Sequence, residues 1–193
     1  MLPPGISFNA ISDKAIEASK KATLPKAYWA WDEILVSNKT GYWPSTPATN
    51  ILYGLAEALD MLYEEGLDNV FARHKRHAEA TRRAVQAWGL EILCENPAEY
   101  SPVLTAVVMP KKPDGTHYNA DDLRRLILEK FNMSLGTGLA KLQGWVFRIG
   151  HLGDFNDLTL LGTLGGIEMG LAAAGIPHKK GGVQAAIDYL AQA

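Results

Sequence analysis

Leu90-Glu91-Ile92-Leu93-Cys94 and Val103-Leu104-Thr105-Ala106-Val107-Val108-Met109 are the runs that set the fold class. Both are short, aliphatic or β-branched, and bounded by Asn, Pro or Gly, so both predict strands. Asn119 then predicts the cap of an amphipathic helix over 121–131, with Leu123, Leu126, Ile127 and Phe131 on its apolar side. Residues 133–135 read as a further short strand ahead of the glycine turn of Gly136 and Gly138. Residues 145–149 read as another, running into Gly150. Helices over 158–174 and 183–191 close the chain. Neighbouring strands mixed with helices predict an α+β fold: a small, mostly antiparallel sheet with helices on one face.

Upstream of this block the pattern is helical. Ser12 or Asp13 caps a short helix that runs to Lys21. Residues 28–47 show no steady period and are dense in aromatics (Tyr28, Trp29, Trp31, Tyr42, Trp43), which predicts a long loop with a function or a partner. Ile51, Leu52, Leu55, Leu59 and Leu62 recur at helical spacing over 48–65, with Ser45 or Thr46 as the expected cap and Pro47 in the first turn. Gly66 interrupts the pattern, and a basic-faced helix follows over 67–88, stopped by Gly89. The expected domain boundary falls there, giving 1–65 and 66–193.

Composition narrows the function. The chain has 193 residues, 47% of them hydrophobic, with 19 basic against 21 acidic side chains. A net charge of −2 leaves no basic surplus for a sequence-independent grip on nucleic acid. The single cysteine, Cys94, excludes an internal disulfide framework and a four-cysteine zinc site, and fits a reducing, cytoplasmic setting. No apolar run approaches the ~18 residues of a membrane span, and residues 1–9 lack the pattern of a signal peptide. The five histidines, His74, His77, His117, His151 and His178, show no metal-ligand spacing. His74 and His77, three apart on one helix, read as a solvated face.

Two places could carry chemistry. Ser45-Thr46-Pro47 at a helix start offers hydroxyls and unpaired N–H groups to a phosphate or carboxylate, although a plain helix cap explains the same residues. Arg148 lies inside an otherwise apolar strand, where its fork suits a carboxylate in two-point contact. An ion pair with Asp154, or a solvent-facing side chain, explains it equally well. His151 follows at the strand end as a site-lining candidate, with a surface loop as the simpler reading.

These stretches resemble a known family. Gly41-Tyr42-Trp43-Pro44-Ser45-Thr46-Pro47-Ala48-Thr49-Asn50, Glu65-Gly66-Leu67-Asp68-Asn69-Val70 and Arg148-Ile149-Gly150-His151-Leu152-Gly153-Asp154-Phe155-Asn156-Asp157 are similar to the C-terminal half of class V, fold-type I aminotransferases, nearest the serine–glyoxylate and alanine–glyoxylate branch. The resemblance implies an enzyme that moves an amino group from serine or alanine to glyoxylate on pyridoxal 5′-phosphate, as a homodimer. It implies that residues 1–65 end the cofactor-binding large domain and that 66–193 form the small domain. Met1-Leu2-Pro3-Pro4-Gly5 also resembles the family's stretch directly after its cofactor lysine, and by that match the lysine lies three residues upstream of Met1, so no catalytic residue is expected in this chain, which would be inactive alone. Thr46 matches the threonine given across the dimer interface to the cofactor phosphate. Trp43 stands where many relatives carry a phosphate-contacting tyrosine. Arg148 matches the arginine that binds the substrate carboxylate, and His151 with Gly136 to Gly138 borders the substrate side. The rival expectation is a stand-alone, non-catalytic binding or assembly module derived from the same domain.

Overall fold

The computed structural model describes residues 2–192. The chain divides into two compact units, Met1–Glu64 and Glu65–Ala193.

The first unit contains α1 (Asp13–Lys20), α2 (Trp31–Asn38) and most of α3 (Thr49–Glu65). Ser12 caps α1 through its hydroxyl, which accepts from Ala15 N at 3.3 Å. Helix α2 occupies part of the expected loop; two turns are too few to show a helical period in the sequence. The start of α3 also differs from expectation. It begins at Thr49, and the Ala48 carbonyl accepts from Ile51 N and Leu52 N at 3.0 and 3.1 Å. Pro47 biases the residue before it away from helical geometry, so Ser45 and Thr46 stay upstream of the helix without capping it. Ala58 is the one buried hydrophobic residue described in this unit.

The second unit builds a full core. It comprises α4 (Leu67–Ala87), β1 (Glu91–Ile92), β2 (Leu104–Val108), α5 (Ala120–Phe131), β3 (Gly136–Thr137), β4 (Val146–Gly150), α6 (Asp157–Ala173) and α7 (Gly182–Leu190). The strands form one antiparallel sheet in the order β1-β2-β4-β3. This is the expected α+β architecture. Thr105, Val107, Phe147 and Ile149 alternate onto one face, where the hydrophobic members join Leu123 and Ile127 of α5 and Leu160, Leu164 and Ile167 of α6. Leu104, Ala106, Val146 and Arg148 therefore fall on the other face, with Ala106 directly opposite Arg148.

Strand β3 lies three residues later than expected, on the glycine turn itself. The Leu135 carbonyl accepts from Arg124 Nε at 2.8 Å, and the ladder to β4 begins at Gly136. Gly136 then pairs with Arg148, and a Cβ at 136 would stand only 3.0 Å from Arg148 Cβ. At Gly138 a Cβ would overlap the Leu142 carbonyl, so the turn out of β3 requires glycine.

One carboxylate joins three helices. Glu168 of α6 accepts from Trp88 Nε1 at the end of α4 (2.9 Å), and from Gly181 N (2.7 Å) and Val183 N (3.0 Å) at the start of α7. Burial pushes this carboxyl up, but those donors outweigh it and leave it below the usual range.

Candidate functional site

The chain has seven arginines, and six of them pair with a carboxylate. The seventh is Arg148. It is half-buried in β4, and its one hydrogen bond among the described residues runs from Nε to the Thr137 carbonyl at 2.7 Å. The alternative of an ion pair with Asp154 is not what the structure shows. Both Nη groups are left without a protein acceptor among the described residues, on the sheet face opposite the core. A guanidinium held at Nε presents its other edge, two parallel N–H donors, to a planar anion. Ala106, paired with Arg148 across the sheet, also lines with Leu104, Arg82, Cys94 and Tyr100 a cleft of about 220 Å³ to which Arg148 itself does not contribute.

His151 is the next residue beyond β4, and its position corrects the surface-loop expectation. The ring is fully buried, with Nε2 3.0 Å from Thr105 Oγ1. By strand alternation it points to the core side, away from the Arg148 guanidinium. Burial lowers its pKa to about 4, so the ring is neutral at pH 7. Nδ1 is buried without a partner, which suits a neutral ring carrying its proton on Nε2 and donating to the Thr105 hydroxyl.

The segment after His151 is clamped onto α4, which also corrects the reading of its histidines. Arg73 donates to Glu65 Oε1 and Oε2 at 2.6 and 2.7 Å, and its Nη1 bridges the Gly153 and Phe155 carbonyls at 2.8 and 3.0 Å. That pairing holds the Glu65 carboxyl below its usual range. His74 bonds the Val70 carbonyl through Nδ1 at 2.7 Å and accepts from Gly153 N through Nε2 at 3.1 Å. His77 is buried, with Nε2 2.9 Å from Asp157 Oδ1, and Arg76 donates to the same oxygen. Neither histidine faces water as a helix surface would. Burial lowers the His77 pKa although Asp157 opposes the shift. Their partners come from about 80 residues downstream, which helix spacing cannot reveal.

Thr46 and Trp43 lie in the first unit, both exposed. Neither Ser45 nor Thr46 makes a side-chain hydrogen bond with a described residue. Among the described residues no hydrogen bond joins Trp43 to Thr46, and Arg148 and His151 point to opposite faces of the sheet. The resemblance put the stretch Gly136 to Gly138, with Thr137 inside it, on the substrate side, but sequence reasoning missed that Thr137 holds Arg148 and that Asp121 and Arg124 stand behind it. The one local signal was the three-residue spacing of Asp121 and Arg124, which reads as an ordinary surface pair. Among the described residues, no three His, Cys, Asp or Glu side chains group to hold a metal, and no helix is long and apolar enough to cross a membrane.

Comparison with known proteins follows the same lines. No protein-family model matches the chain. It is 46% identical over 191 residues to a serine–glyoxylate aminotransferase of Arabidopsis thaliana, covering 98% of this chain and 46% of that protein. The chain spans about half the length of the curated relatives it matches. Its fold is shared with a ureidoglycine–glyoxylate aminotransferase of Bacillus subtilis (TM-score 0.77, 23% identity, 92% of this chain and 45% of that one). An alanine–glyoxylate aminotransferase of Nostoc sp. superposes with a TM-score of 0.69 at 30% identity, over 83% of this chain and 42% of that one. Over its whole length the chain is a homologue of the class V aminotransferases of the serine–glyoxylate and alanine–glyoxylate branch, and it corresponds to their C-terminal half.

Proposed function

We propose that this chain supplies the carboxylate-binding and part of the phosphate-binding apparatus of a pyridoxal 5′-phosphate-dependent transaminase that carries an amino group from serine or alanine to glyoxylate. The single observation that carries the reading is Arg148, the one arginine with no acidic partner among the described residues, fixed at Nε with its other edge open. The three relatives described differ in donor, serine, ureidoglycine or alanine, and share glyoxylate in their names. A common carboxylate anchor is what such a set requires.

The donor groups present suit the cofactor. The Ser45 and Thr46 hydroxyls are exposed and free of described partners, so they can donate to a phosphate, and Trp43 can pack beside it. In this reading Thr46 serves the phosphate of a neighbouring subunit, which makes the complete enzyme a homodimer. When bound, the cofactor supplies the electron sink for chemistry at the amino acid's α-carbon. Arg148 binds and orients the substrate carboxylate through its Nη donors. His151, neutral and buried, supports the strand end that carries Arg148 instead of touching substrate. The acid/base lysine is assigned to the half of the relatives that this chain does not match, residues 1–65 to the end of the cofactor-binding domain, and 66–193 to the small domain. The lone cysteine supports a cytoplasmic setting.

The test joins this chain to the matching N-terminal half and follows glyoxylate-dependent consumption of serine and alanine. Arg148→Ala is expected to raise KM for both amino and keto acid by roughly 10- to 100-fold, the worth of a charge-assisted two-point contact. An unchanged KM refutes the assignment. A second reading, the stand-alone module, rests on the complete core of the second unit. It gains if the free chain is a protease-resistant monomer that never needs the other half.

A further inference from the structure

Resting on the reading of Arg148 as the carboxylate anchor, we propose that Thr137 and Asp121 are its positioning residues, acting through the Thr137 carbonyl. An arginine has four side-chain torsions, and holding it in one pose on an open sheet face needs a fixed acceptor. Here that acceptor is the Thr137 carbonyl, 2.7 Å from Nε. Because the guanidinium is planar, fixing Nε–H sets the plane in which both Nη groups point outward.

Strand β3 is only two residues long and cannot hold that carbonyl by its own ladder. Helix α5 holds it instead. The Thr137 hydroxyl donates to Asp121 Oδ1 at 2.9 Å, and Arg124 donates to the same oxygen through Nη1 at 2.8 Å and to the Leu135 carbonyl through Nε at 2.8 Å. Asp121 is itself fixed in the first turn of α5, where its N–H bonds the Asn119 cap at 2.8 Å. On the other side of β3, Gly138 N bonds the Val146 carbonyl at 2.9 Å. The order of support is therefore Asn119, Asp121, Thr137, Arg148. Gly136 completes the seat, since its missing Cβ leaves room for Arg148 Cβ and Nε.

The test uses the full chain and the side-chain ¹⁵N resonance of Arg148 Nε–Hε, assigned by its loss in Arg148→Lys. Two readouts are taken: exchange of Hε with water, and titration with pyruvate as the carboxylate probe. Thr137→Val removes the hydroxyl at nearly constant volume, Asp121→Asn weakens its acceptor, and Thr137→Ser restores the donor. Thr137→Val and Asp121→Asn are expected to speed Hε exchange and weaken pyruvate binding by roughly three- to tenfold, the range of one ordinary hydrogen bond acting indirectly on the anchor. Thr137→Ser is expected to behave as the parent, with the remaining amide spectrum unchanged in all three. Parent-like exchange and affinity in both Thr137→Val and Asp121→Asn overturn the positioning role. If instead the parent Arg148 signal ignores pyruvate, the anchor reading fails, and the exchange comparison still decides whether Thr137 fixes the side chain. Should Thr137→Val not fold, Asp121→Asn decides alone.

Discussion

Arg73 and Arg148 are the same residue put to opposite uses in the same unit. At the α4 clamp, Arg73 spends its donors on Glu65 and on the carbonyls of Gly153 and Phe155. At the β3–β4 edge, Arg148 gives one donor to the fold and keeps two groups open. The difference teaches how to tell a structural arginine from a binding one. A satisfied fork holds chain segments together, whereas a fork held at one corner is prepared for an anion that arrives later.

Substitution should separate the two roles. Arg73→Ala is expected to destabilise the protein by about 3 kcal/mol, because it strands a half-buried carboxylate and two carbonyls. Urea unfolding measures this, and a loss under 1 kcal/mol would erase the contrast. The clamp region also carries a pH signature. His151 and His77 both have pKa values lowered by burial, His151 to about 4. A lowered folded pKa means the unfolded chain binds more protons in the window between. Stability is therefore full above about pH 6.5 and falls as pH drops towards 4, by on the order of 3 kcal/mol for His151 alone. In urea melts across pH 4–7, His151→Gln should flatten that slope; an unaltered slope would mean the ring does not titrate this way.

At the other edge the expected stability effects are small. Arg148→Ala should change the unfolding free energy by under about 1 kcal/mol, since it removes one hydrogen bond from a half-exposed side chain where water can take its place, while abolishing carboxylate binding. A loss as large as that of Arg73→Ala would put both arginines in one class. Gly136→Ala is the finest probe. Its added Cβ would sit 3.0 Å from Arg148 Cβ and 3.2 Å from Nε, so the arginine must shift by a few tenths of an ångström. The expected result is a two- to threefold weaker pyruvate affinity, about 0.5 kcal/mol, with unfolding nearly unmoved.

Local chemistry made much of the fold legible. Asn119 announced α5 because an Asn side chain at that place satisfies orphan N–H groups of the helix, and it does so for Asp121 and Asp122. Strands β2 and β4 were legible from their aliphatic character, and α4 from its long period. Strand β3 was not, because Gly-Thr has no strand preference of its own and exists as a strand through Arg124, Asp121 and the ladder to β4. His74 and His77 were misread for the same reason: their partners lie far along the chain. Of the candidate residues, Arg148 was visible as a charge in an apolar strand. Four of the other arginines pair with an acid three or four residues away, which the sequence shows; what it hid was that Arg73 and Arg76 find Glu65 and Asp157, which leaves Arg148 as the one without an acid among the described residues.

The triple role of Glu168 has a consequence for how the protein opens. Its carboxylate holds the indole at the end of α4 and the first N–H groups of α7 from a seat on α6. None of these three helices can fray at that junction without freeing a partly buried anion. The C-terminal end of α4, the middle of α6 and the start of α7 are therefore expected to open as one cooperative unit, their amide hydrogens exchanging together at a single free energy.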